Sequence, residues 1–211
     1  MSFYLYLFIA YLMGGVPFAL IVGYLAGQGD IRRKGSGNVG ATNVWRLAGP
    51  IPAMFVFVGD IGKGAAAVLI TSSFYQAGWP VSLSNAALIA GILAVLGHTY
   101  SPYLGFRGGK GVNTAVGVFI SLMPIETLIA VGVSMIVVFA FRYISLGSMV
   151  GAVTLAVIIW VEKLVLGWPI ESSFLVVSAI IAAFILYTHR QNIKRLASGT
   201  ENRFQLRKAS Q

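Results

Sequence analysis

The chain has 211 residues, of which 57% are hydrophobic and 10% are charged, and its net charge is +9. Soluble domains carry about 25% charged residues, so this composition excludes a water-soluble monomer. The chain has no cysteine, two histidines and six acidic residues, which excludes disulfides, and we expect neither a metal centre nor a bound cofactor. Continuous apolar runs, such as residues 152–161, lack the period of two that a membrane β-barrel needs. The fold is therefore predicted to be all-α.

Apolar stretches follow one another along the chain, and each predicts a transmembrane helix. They lie at about residues 3–26, 51–73, 85–98, 112–123, 125–141, 147–162 and 171–188. The fourth stretch is short and ends at Pro124, so it is either a half-span or fused to the fifth, which leaves five or six crossings as the alternative. We predict an integral membrane protein with a single transmembrane domain, residues 1–211, built as a bundle of about seven helices, some of them short.

Basic residues predict the orientation, because cytoplasmic loops of membrane proteins are enriched in Lys and Arg. With an external N-terminus, thirteen of the 15 basic residues lie in cytoplasmic segments, Lys163 lies outside and Lys63 lies within a span. The cytoplasmic segments are then residues 27–50, 99–111, 142–146 and 189–211, and the C-terminus is cytoplasmic. The basic charge therefore reflects membrane topology, and we expect no nucleic-acid partner.

Two of these segments are rich in glycine, and we call them the first glycine-rich loop (residues 27–50) and the second glycine-rich loop (residues 99–111). Successive glycines turn consecutive N–H groups inward, and a nearby cation then fixes a bound anion. The first loop offers Ser36, Gly37, Asn38, Thr42, Asn43 and Arg46. The second offers Gly108, Gly109, Lys110 and Gly111, before Thr114 at a predicted helix start. We predict two phosphate sites on one face; the alternative is a pair of turns that contact lipid headgroups.

The histidines and one intramembrane charge pair are further candidates. His98 ends an apolar stretch, where a structural role is the commoner one. His189 shares a helix face with Asn192, an arrangement that suits acid–base chemistry or oxyanion binding. Asp60 and Lys63 lie three residues apart within a predicted span, as either a functional pair or a structural ion pair. No covalent nucleophile is evident, because the G-x-S-x-G pattern is absent.

Four segments, in this order and spacing, closely resemble the bacterial acyl-phosphate:glycerol-3-phosphate acyltransferases, the PlsY family. They are GSGNVGATNVWR (35–46), GHTYSPYLGFRGGKGVNT (97–114), RYISLGS (142–148) and HRQNIKRLASGTENRF (189–204). The resemblance implies an enzyme of the bacterial inner membrane with seven helices and its active site facing the cytoplasm. It implies transfer of an acyl chain from acyl phosphate to the 1-hydroxyl of glycerol 3-phosphate, which yields lysophosphatidic acid and phosphate.

The loops and the resemblance together assign candidate roles. Catalytic roles are expected for Ser36, Arg46, Lys110, His189 and Asn192. Substrate-binding roles are expected for Gly37, Asn38, Thr42, Asn43, His98, Gly108, Gly109, Gly111, Thr114, Arg142, Ser145 and Arg195. The sequence departs from the family pattern at Asn113, where an apolar or small residue is expected. The tail at residues 205–211 lies beyond the shared pattern.

Acyl phosphate carries a good leaving group, so positioning and electrostatics suffice without an acyl-enzyme. The base is either His189 or the departing phosphate. An acidic acyl-carrier protein docking on the basic face is an alternative donor. The competing class of function is a small-anion transporter, which would show inverted repeats and charges along a midplane path; nearly all polar groups here belong to one interface, which disfavours transport.

Overall fold

The computed structural model describes residues 1–204, which form eleven α-helices, two single-turn 3₁₀ helices and no β-strand. The helices are α1 Phe3–Gly15, α2 Phe18–Leu25, α3 Ala41–Ala48, α4 Pro50–Leu69, α5 Thr71–Phe74, α6 Leu83–Thr99, α7 Val112–Leu122, α8 Pro124–Phe141, α9 Ile144–Leu164, α10 Ser172–Thr188 and α11 Arg190–Ala197. The predicted all-α class is confirmed. The chain divides into two compact units, a first unit (residues 1–124) and a second unit (residue 125 onward), each described here by itself, and the single transmembrane domain stays a prediction.

Helices occur at all seven apolar stretches. Within the described residues, five segments are long and apolar enough to cross a membrane: Phe3–Leu25, Pro50–Phe74, Leu83–Leu104, Pro124–Phe141 and Ile144–Leu164. Helices α10 and α11 form a further candidate that is bent by 59°. Helix α7 has 11 residues, too few to span a bilayer, as its short apolar stretch indicates. The number of crossings and the external N-terminus stay predictions.

The first apolar stretch contains a break that its hydropathy does not show. Helix α1 ends at Gly15 and α2 begins at Phe18, because Pro17 has no backbone N–H to continue the helix. The carbonyl oxygen of Val16 at this break accepts a hydrogen bond from Nζ of Lys63 at 2.8 Å. A polar contact is thereby placed inside the apolar part of the first unit.

Close helix packing in the first unit depends on glycines. A Cβ atom at Gly97 of α6 would lie 2.1 Å from the carbonyl oxygen of Tyr11 in α1, and one at Gly64 of α4 would lie 2.2 Å from that of Thr114 in α7. Membrane helices approach this closely only where a small residue faces the partner helix. The contacts bring the ends of α6 and α7, which flank the second glycine-rich loop, against α1 and α4.

The second unit is built on α8, α9 and α10, with α11 turning away after His189. A Cβ atom at Gly147 of α9 would lie 2.7 Å from the carbonyl oxygen of Ser134 in α8, so these two helices also pack through a glycine. Helix α11 carries polar and basic residues such as Asn192 and Arg195, in contrast to the apolar α10 that precedes it.

Candidate active site

Asn43 organises the first glycine-rich loop from within. It is fully buried on α3, where its Oδ1 accepts the backbone N–H of Ser36 at 2.9 Å and the Ser36 hydroxyl at 3.2 Å. Its Nδ2 donates to the carbonyl oxygens of Ile31 and Lys34 at 3.0 and 3.2 Å. A Cβ atom at Gly35 would lie 2.4 Å from Oδ1, so only glycine fits beside this amide. Asn43 therefore holds the loop, and direct contact between Asn43 and substrate stays a prediction.

The other predicted residues of this loop lie nearer the surface. Ser36 is exposed, whereas Asn38, Thr42 and Arg46 are partly buried. Gly37 has a positive φ of 70°, a backbone conformation that glycine adopts without strain. The loop thus carries hydroxyl, amide and guanidinium groups on a backbone that Asn43 holds in place, and groups of these types bind anions.

One acidic residue lies at the start of this loop. Nε and Nη2 of Arg32 donate to the Asp30 carboxylate at 2.9 and 2.7 Å. These hydrogen bonds lower the pKa of Asp30 to about 2. Arg32 is thereby paired with an acidic residue within the loop.

The second glycine-rich loop folds back on the end of α6. The N–H of Gly108 donates to the carbonyl oxygen of Thr99 at 2.9 Å, and that of Gly109 donates to the carbonyl oxygen of His98 at 3.1 Å. The sequence predicts that these N–H groups face a phosphate, whereas here they bind α6. A Cβ atom at Gly108 would lie 2.0 Å from the His98 carbonyl oxygen, so the close approach requires glycine. The partly buried Lys110 follows directly and is one of the two basic residues of this loop, with the exposed Arg107.

The loop ends where α7 begins. Gly111 caps the helix in the left-handed conformation, with φ of 81°, which glycine adopts most readily. Thr114, in the first turn of α7, is fully buried at the close contact with Gly64. Substrate binding by Thr114 stays a prediction, and its backbone contributes to the packing that supports the loop.

The two glycine-rich loops meet at Gly109. A Cβ atom at this position would lie 2.4 Å from the carbonyl oxygen of Val39 in the first loop and 2.2 Å from Nε2 of His98. The two predicted phosphate sites are therefore neighbours within the first unit. This contact joins positions that are 70 residues apart in sequence.

Asp60 and Lys63 belong to a buried polar network that extends to His98. Nζ of Lys63 lies 2.8 Å from Oδ1 of Asp60, and Nδ1 of His98 lies 3.5 Å from the same oxygen. All three side chains are buried and line a small cavity, together with Val16 and Val39, that has room for about one water molecule. The sequence left open whether the pair is functional or structural, and it did not connect the pair to His98.

In the second unit, three predicted residues converge on Glu201, which the sequence analysis did not single out. Oε1 of Glu201 accepts hydrogen bonds from Ser145 Oγ at 2.8 Å and from Asn192 Nδ2 at 2.6 Å. Oε2 accepts from Nε of Arg195 at 2.7 Å. Burial raises the pKa of Glu201, but the hydrogen bonds from Asn192, Ser145 and Arg195 outweigh it and hold the pKa below its usual range. One feature of the sequence could have pointed to Glu201, because it is the only acidic residue in the basic segment between positions 189 and 211.

His189 lies at the bend between α10 and α11 and is 3% exposed. Its Nδ1 lies 2.8 Å from the carbonyl oxygen of Ile185. A carbonyl oxygen only accepts hydrogen bonds, so Nδ1 carries the proton and the neutral ring has its lone pair on Nε2. This is the tautomer that a base acting through Nε2 requires.

Arg142 occupies the turn between α8 and α9 in a left-handed backbone conformation, with φ of 62°. Its carbonyl oxygen accepts the N–H of Phe204 at 2.6 Å, and Nε of Arg203 donates to the hydroxyl of Tyr143 at 3.3 Å. The segment after α11 therefore binds back on this turn, where Phe204 bonds to Arg142 itself and Arg203 to the next residue.

The predicted residues thus fall into two sets, one in each unit. The first unit contains Ser36, Gly37, Asn38, Thr42, Asn43, Arg46, His98, Gly108, Gly109, Lys110, Gly111 and Thr114. The second unit contains Arg142, Ser145, His189, Asn192 and Arg195. In the first unit, Gly109 joins the second loop to Val39 of the first loop. In the second unit, Ser145, Asn192 and Arg195 bind Glu201.

Comparison with known proteins gives consistent matches over nearly the whole chain. Residues 4–199 match the family model described as glycerol-3-phosphate acyltransferase. The chain is 39% identical to the glycerol-3-phosphate acyltransferase of Chlorobaculum tepidum, over 96% of this chain and 97% of that protein. It is 42% identical to that of Syntrophomonas wolfei, over 92% and 93%.

Two solved structures are also similar. The crystal structure of PlsY, an integral membrane glycerol 3-phosphate acyltransferase, in its glycerol 3-phosphate form has a TM-score of 0.83 at 35% identity and covers 96% of both chains. The lysophosphatidic acid form has a TM-score of 0.81 at 34% identity, over 97% of this chain and 96% of that one. The resemblance seen in the sequence and the integral membrane fold are confirmed.

Proposed function

The chain belongs to the glycerol-3-phosphate acyltransferase family, and on that premise we propose that it transfers a fatty acyl group from acyl phosphate to the 1-hydroxyl of glycerol 3-phosphate. The products are lysophosphatidic acid and inorganic phosphate. We place the enzyme in the bacterial inner membrane, with the glycine-rich loops facing the cytoplasm. The similar PlsY structures are a glycerol 3-phosphate form and a lysophosphatidic acid form, and these two forms support the proposed acceptor and product.

The observation that carries the choice of donor is the contact between the two glycine-rich loops at Gly109 and Val39. Each loop brings a basic side chain, Arg46 in the first and Lys110 in the second, to a stretch of polar groups. Two neighbouring anion sites suit two phosphate-bearing substrates that react with each other. An acyl thioester donor has no phosphate at its reacting carbon and would leave one of these sites without a role.

The reaction needs no covalent intermediate on the protein. The 1-hydroxyl oxygen of glycerol 3-phosphate attacks the acyl carbon and forms the ester bond, while the bond between that carbon and the phosphate oxygen breaks. The hydroxyl proton leaves with phosphate or passes to a base, for which His189 stays the candidate. Holding both substrates in contact accounts for much of the rate enhancement, because the reaction between them becomes effectively intramolecular.

We assign the residues of the first unit to phosphate binding and orientation. Lys110 and Arg46 supply positive charge that binds phosphate and stabilises the negative charge developing on the leaving group. Ser36 and Asn38 orient the glycerol, with the Ser36 hydroxyl, which donates to Asn43, acting as an acceptor. The Asn38 amide donates to the acyl carbonyl and polarises it. The roles of His189, Asn192, Arg142, Ser145 and Arg195 rest on the resemblance in sequence.

A comparison of donors tests this proposal. Purified protein would be supplied with labelled glycerol 3-phosphate and, in parallel, with palmitoyl phosphate, palmitoyl-CoA or palmitoyl-acyl-carrier protein, all in the presence of EDTA. We expect lysophosphatidic acid and an equal amount of phosphate from palmitoyl phosphate and from neither thioester. EDTA should not reduce this activity, because Lys and Arg provide the positive charge that a metal would otherwise supply. Equal or faster transfer from either thioester would contradict the proposed donor.

A further inference from the structure

Asp60 and Lys63 take no part in the proposed reaction, yet they are costly to bury. They lie near the middle of α4, a 20-residue helix whose other residues are apolar or small. Asp60 is 2% exposed and Lys63 is 7% exposed. Taking two charges out of water costs several kcal/mol each before their attraction is counted, and a well-packed apolar pair is often as stable. A stabilising role alone therefore does not account for them.

Lys63 binds α4 to the break in the first apolar stretch. Its Nζ donates to the carbonyl oxygen of Val16 at 2.8 Å while it pairs with Asp60 at the same distance. It also lies 5.8 Å from the centre of the Phe18 ring, in a cation–π contact. The single ammonium group thus fixes the end of α1, the start of α2 and the middle of α4 relative to one another.

Asp60 continues this chain of contacts towards the second glycine-rich loop. Its Oδ1 faces Nδ1 of His98 at 3.5 Å, and the other ring nitrogen of His98 faces Gly109. A Cβ atom at Gly109 would lie 2.2 Å from that nitrogen, so the loop backbone rests directly on the imidazole. Both ring nitrogens of His98 therefore face protein groups, and the next residue after Gly109 is Lys110.

We propose that Asp60, Lys63 and His98 are positioning residues that set the second glycine-rich loop, and with it Lys110, at the distance needed to bind a substrate phosphate. None of the three contacts substrate. The inference rests on the proposed function in one respect, namely that this loop binds a phosphate-bearing substrate. It changes the role of His98 from substrate binding, as expected from the sequence, to support of the loop.

A charge-free double variant separates positioning from stability. Asp60→Leu combined with Lys63→Met removes both charges and keeps the branching at position 60 and a long unbranched side chain at position 63, so the protein should stay folded, with a melting temperature within about 5 °C of the unmodified protein. We expect its KM for a phosphate substrate, or its Kd for glycerol 3-phosphate measured by titration calorimetry, to rise at least about tenfold, because small displacements of binding groups are costly. The matched control is Gly62→Ala, in the same helix with no atom within 4 Å of the new methyl group, and it should leave both constants unchanged.

Two variants of His98 test which of its two contacts, that with Gly109 or that with Asp60, matters for substrate binding. In His98→Gln the terminal amide reaches the place of Nε2, near Gly109, whereas in His98→Asn it reaches the place of Nδ1, near Asp60. If support of the loop is what matters, His98→Gln should bind glycerol 3-phosphate at least about fivefold more tightly than His98→Asn, because only glutamine keeps side-chain atoms against the backbone of Gly109 and small displacements of binding groups are costly. Equal binding by the two variants, or tighter binding by His98→Asn, would overturn the inference.

The outcomes also separate this inference from the proposed function. Failure of the unmodified protein to use acyl phosphate would overturn the proposed donor, while the calorimetric comparison with glycerol 3-phosphate would still decide the role of the network. A folded double variant with unchanged KM, kcat and Kd would overturn the inference. Failure of the double variant and of both His98 variants to fold would overturn it as well, since the network would then be purely structural.

Discussion

Nδ2 of Asn192 donates a 2.6 Å hydrogen bond to Oε1 of Glu201, nine residues further along the chain. The same oxygen accepts from Ser145 on α9, and the other carboxylate oxygen accepts from Arg195 on α11. One carboxylate therefore joins α9, α11 and the segment that follows α11. The position of Asn192, expected to be catalytic, depends on a residue with no expected role.

Removing this carboxylate should weaken the second unit. In Glu201→Gln the side chain keeps its shape but loses the charge that Arg195 binds, and its new N–H groups face other donors. We expect a loss of about 1.5–3 kcal/mol in the free energy of unfolding, the range for hydrogen bonds to charged groups, and a larger loss for Glu201→Ala. Thermal unfolding in detergent measures the effect. The control is Glu171→Gln, an exposed carboxylate in the same unit, which should unfold like the unmodified protein.

The contribution of Glu201 should depend on pH with a definite sign. Its pKa is lower in the folded protein than in the unfolded chain, so its stabilising effect is complete above the unfolded value of about 4.3 and is lost as pH falls through the folded value. The difference in melting temperature between the unmodified protein and Glu201→Gln should stay constant from about pH 8 to pH 6 and shrink below about pH 4.5. A difference that vanishes between pH 6 and pH 7 would contradict the assignment.

Activity should depend on the positive charge of the partly buried Lys110. Lys110→Ala should reduce activity at least about tenfold, because a charge-assisted contact contributes about 1.5–3 kcal/mol. Lys110→Arg should restore only part of it, since a planar guanidinium does not fit a site shaped for a compact ammonium. Steady-state kcat and KM for each substrate measure both effects. The neighbouring exposed Arg107 serves as the control, and Arg107→Ala should stay close to normal activity; near-normal turnover by Lys110→Ala would remove Lys110 from the site.

The glycine contacts between α4 and α7 should be intolerant of a methyl group. A Cβ atom at Gly117 would lie 1.9 Å from the carbonyl oxygen of Ile61, so Gly117→Ala must separate the two helices. We expect a loss of about 1–3 kcal/mol, the usual cost of overpacking, visible as a lower melting temperature. Gly62→Ala adds the same methyl group to open space and should unfold at the same temperature or a higher one. Equal melting of the two variants would argue against this close packing.

Single cysteines in this cysteine-free chain test the orientation. Exposed positions 36, 107 and 198 belong to segments predicted to be cytoplasmic, and exposed Gln76 belongs to a connection predicted to be external. An impermeant thiol reagent added to intact cells should label Gln76→Cys alone, whereas inverted vesicles should label Ser36→Cys, Arg107→Cys and Ser198→Cys. Labelling of Ser36→Cys and Arg107→Cys from opposite sides would contradict the model in which both phosphate sites lie on one face.

Local features of the sequence determined the helices and the candidate loops. A membrane helix is specified by its own apolar residues, so the stretch at 125–141 predicts α8 within one residue of its observed start at Pro124 and at its observed end, Phe141. Basic and glycine-rich segments are equally local, which is why Arg46, Lys110 and the glycines of their two loops stand out without a structure. The break at Val16 and Pro17 is local too, but hydropathy averages over it.

Only the tertiary structure decided which residues act on one another. Asp60 and His98 lie 38 positions apart, and no periodicity relates them; they meet because glycines let α1 and α6 pack closely while Lys63 binds the break at Val16. Gly109 and Val39 lie 70 positions apart and meet where the two glycine-rich loops pack together, and Ser145 reaches Glu201 because the segment after α11 returns to the start of α9. Hydropathy and charge specify where each helix begins and ends, whereas the partners of a buried polar group depend on helix packing, which is set by contacts distant in sequence.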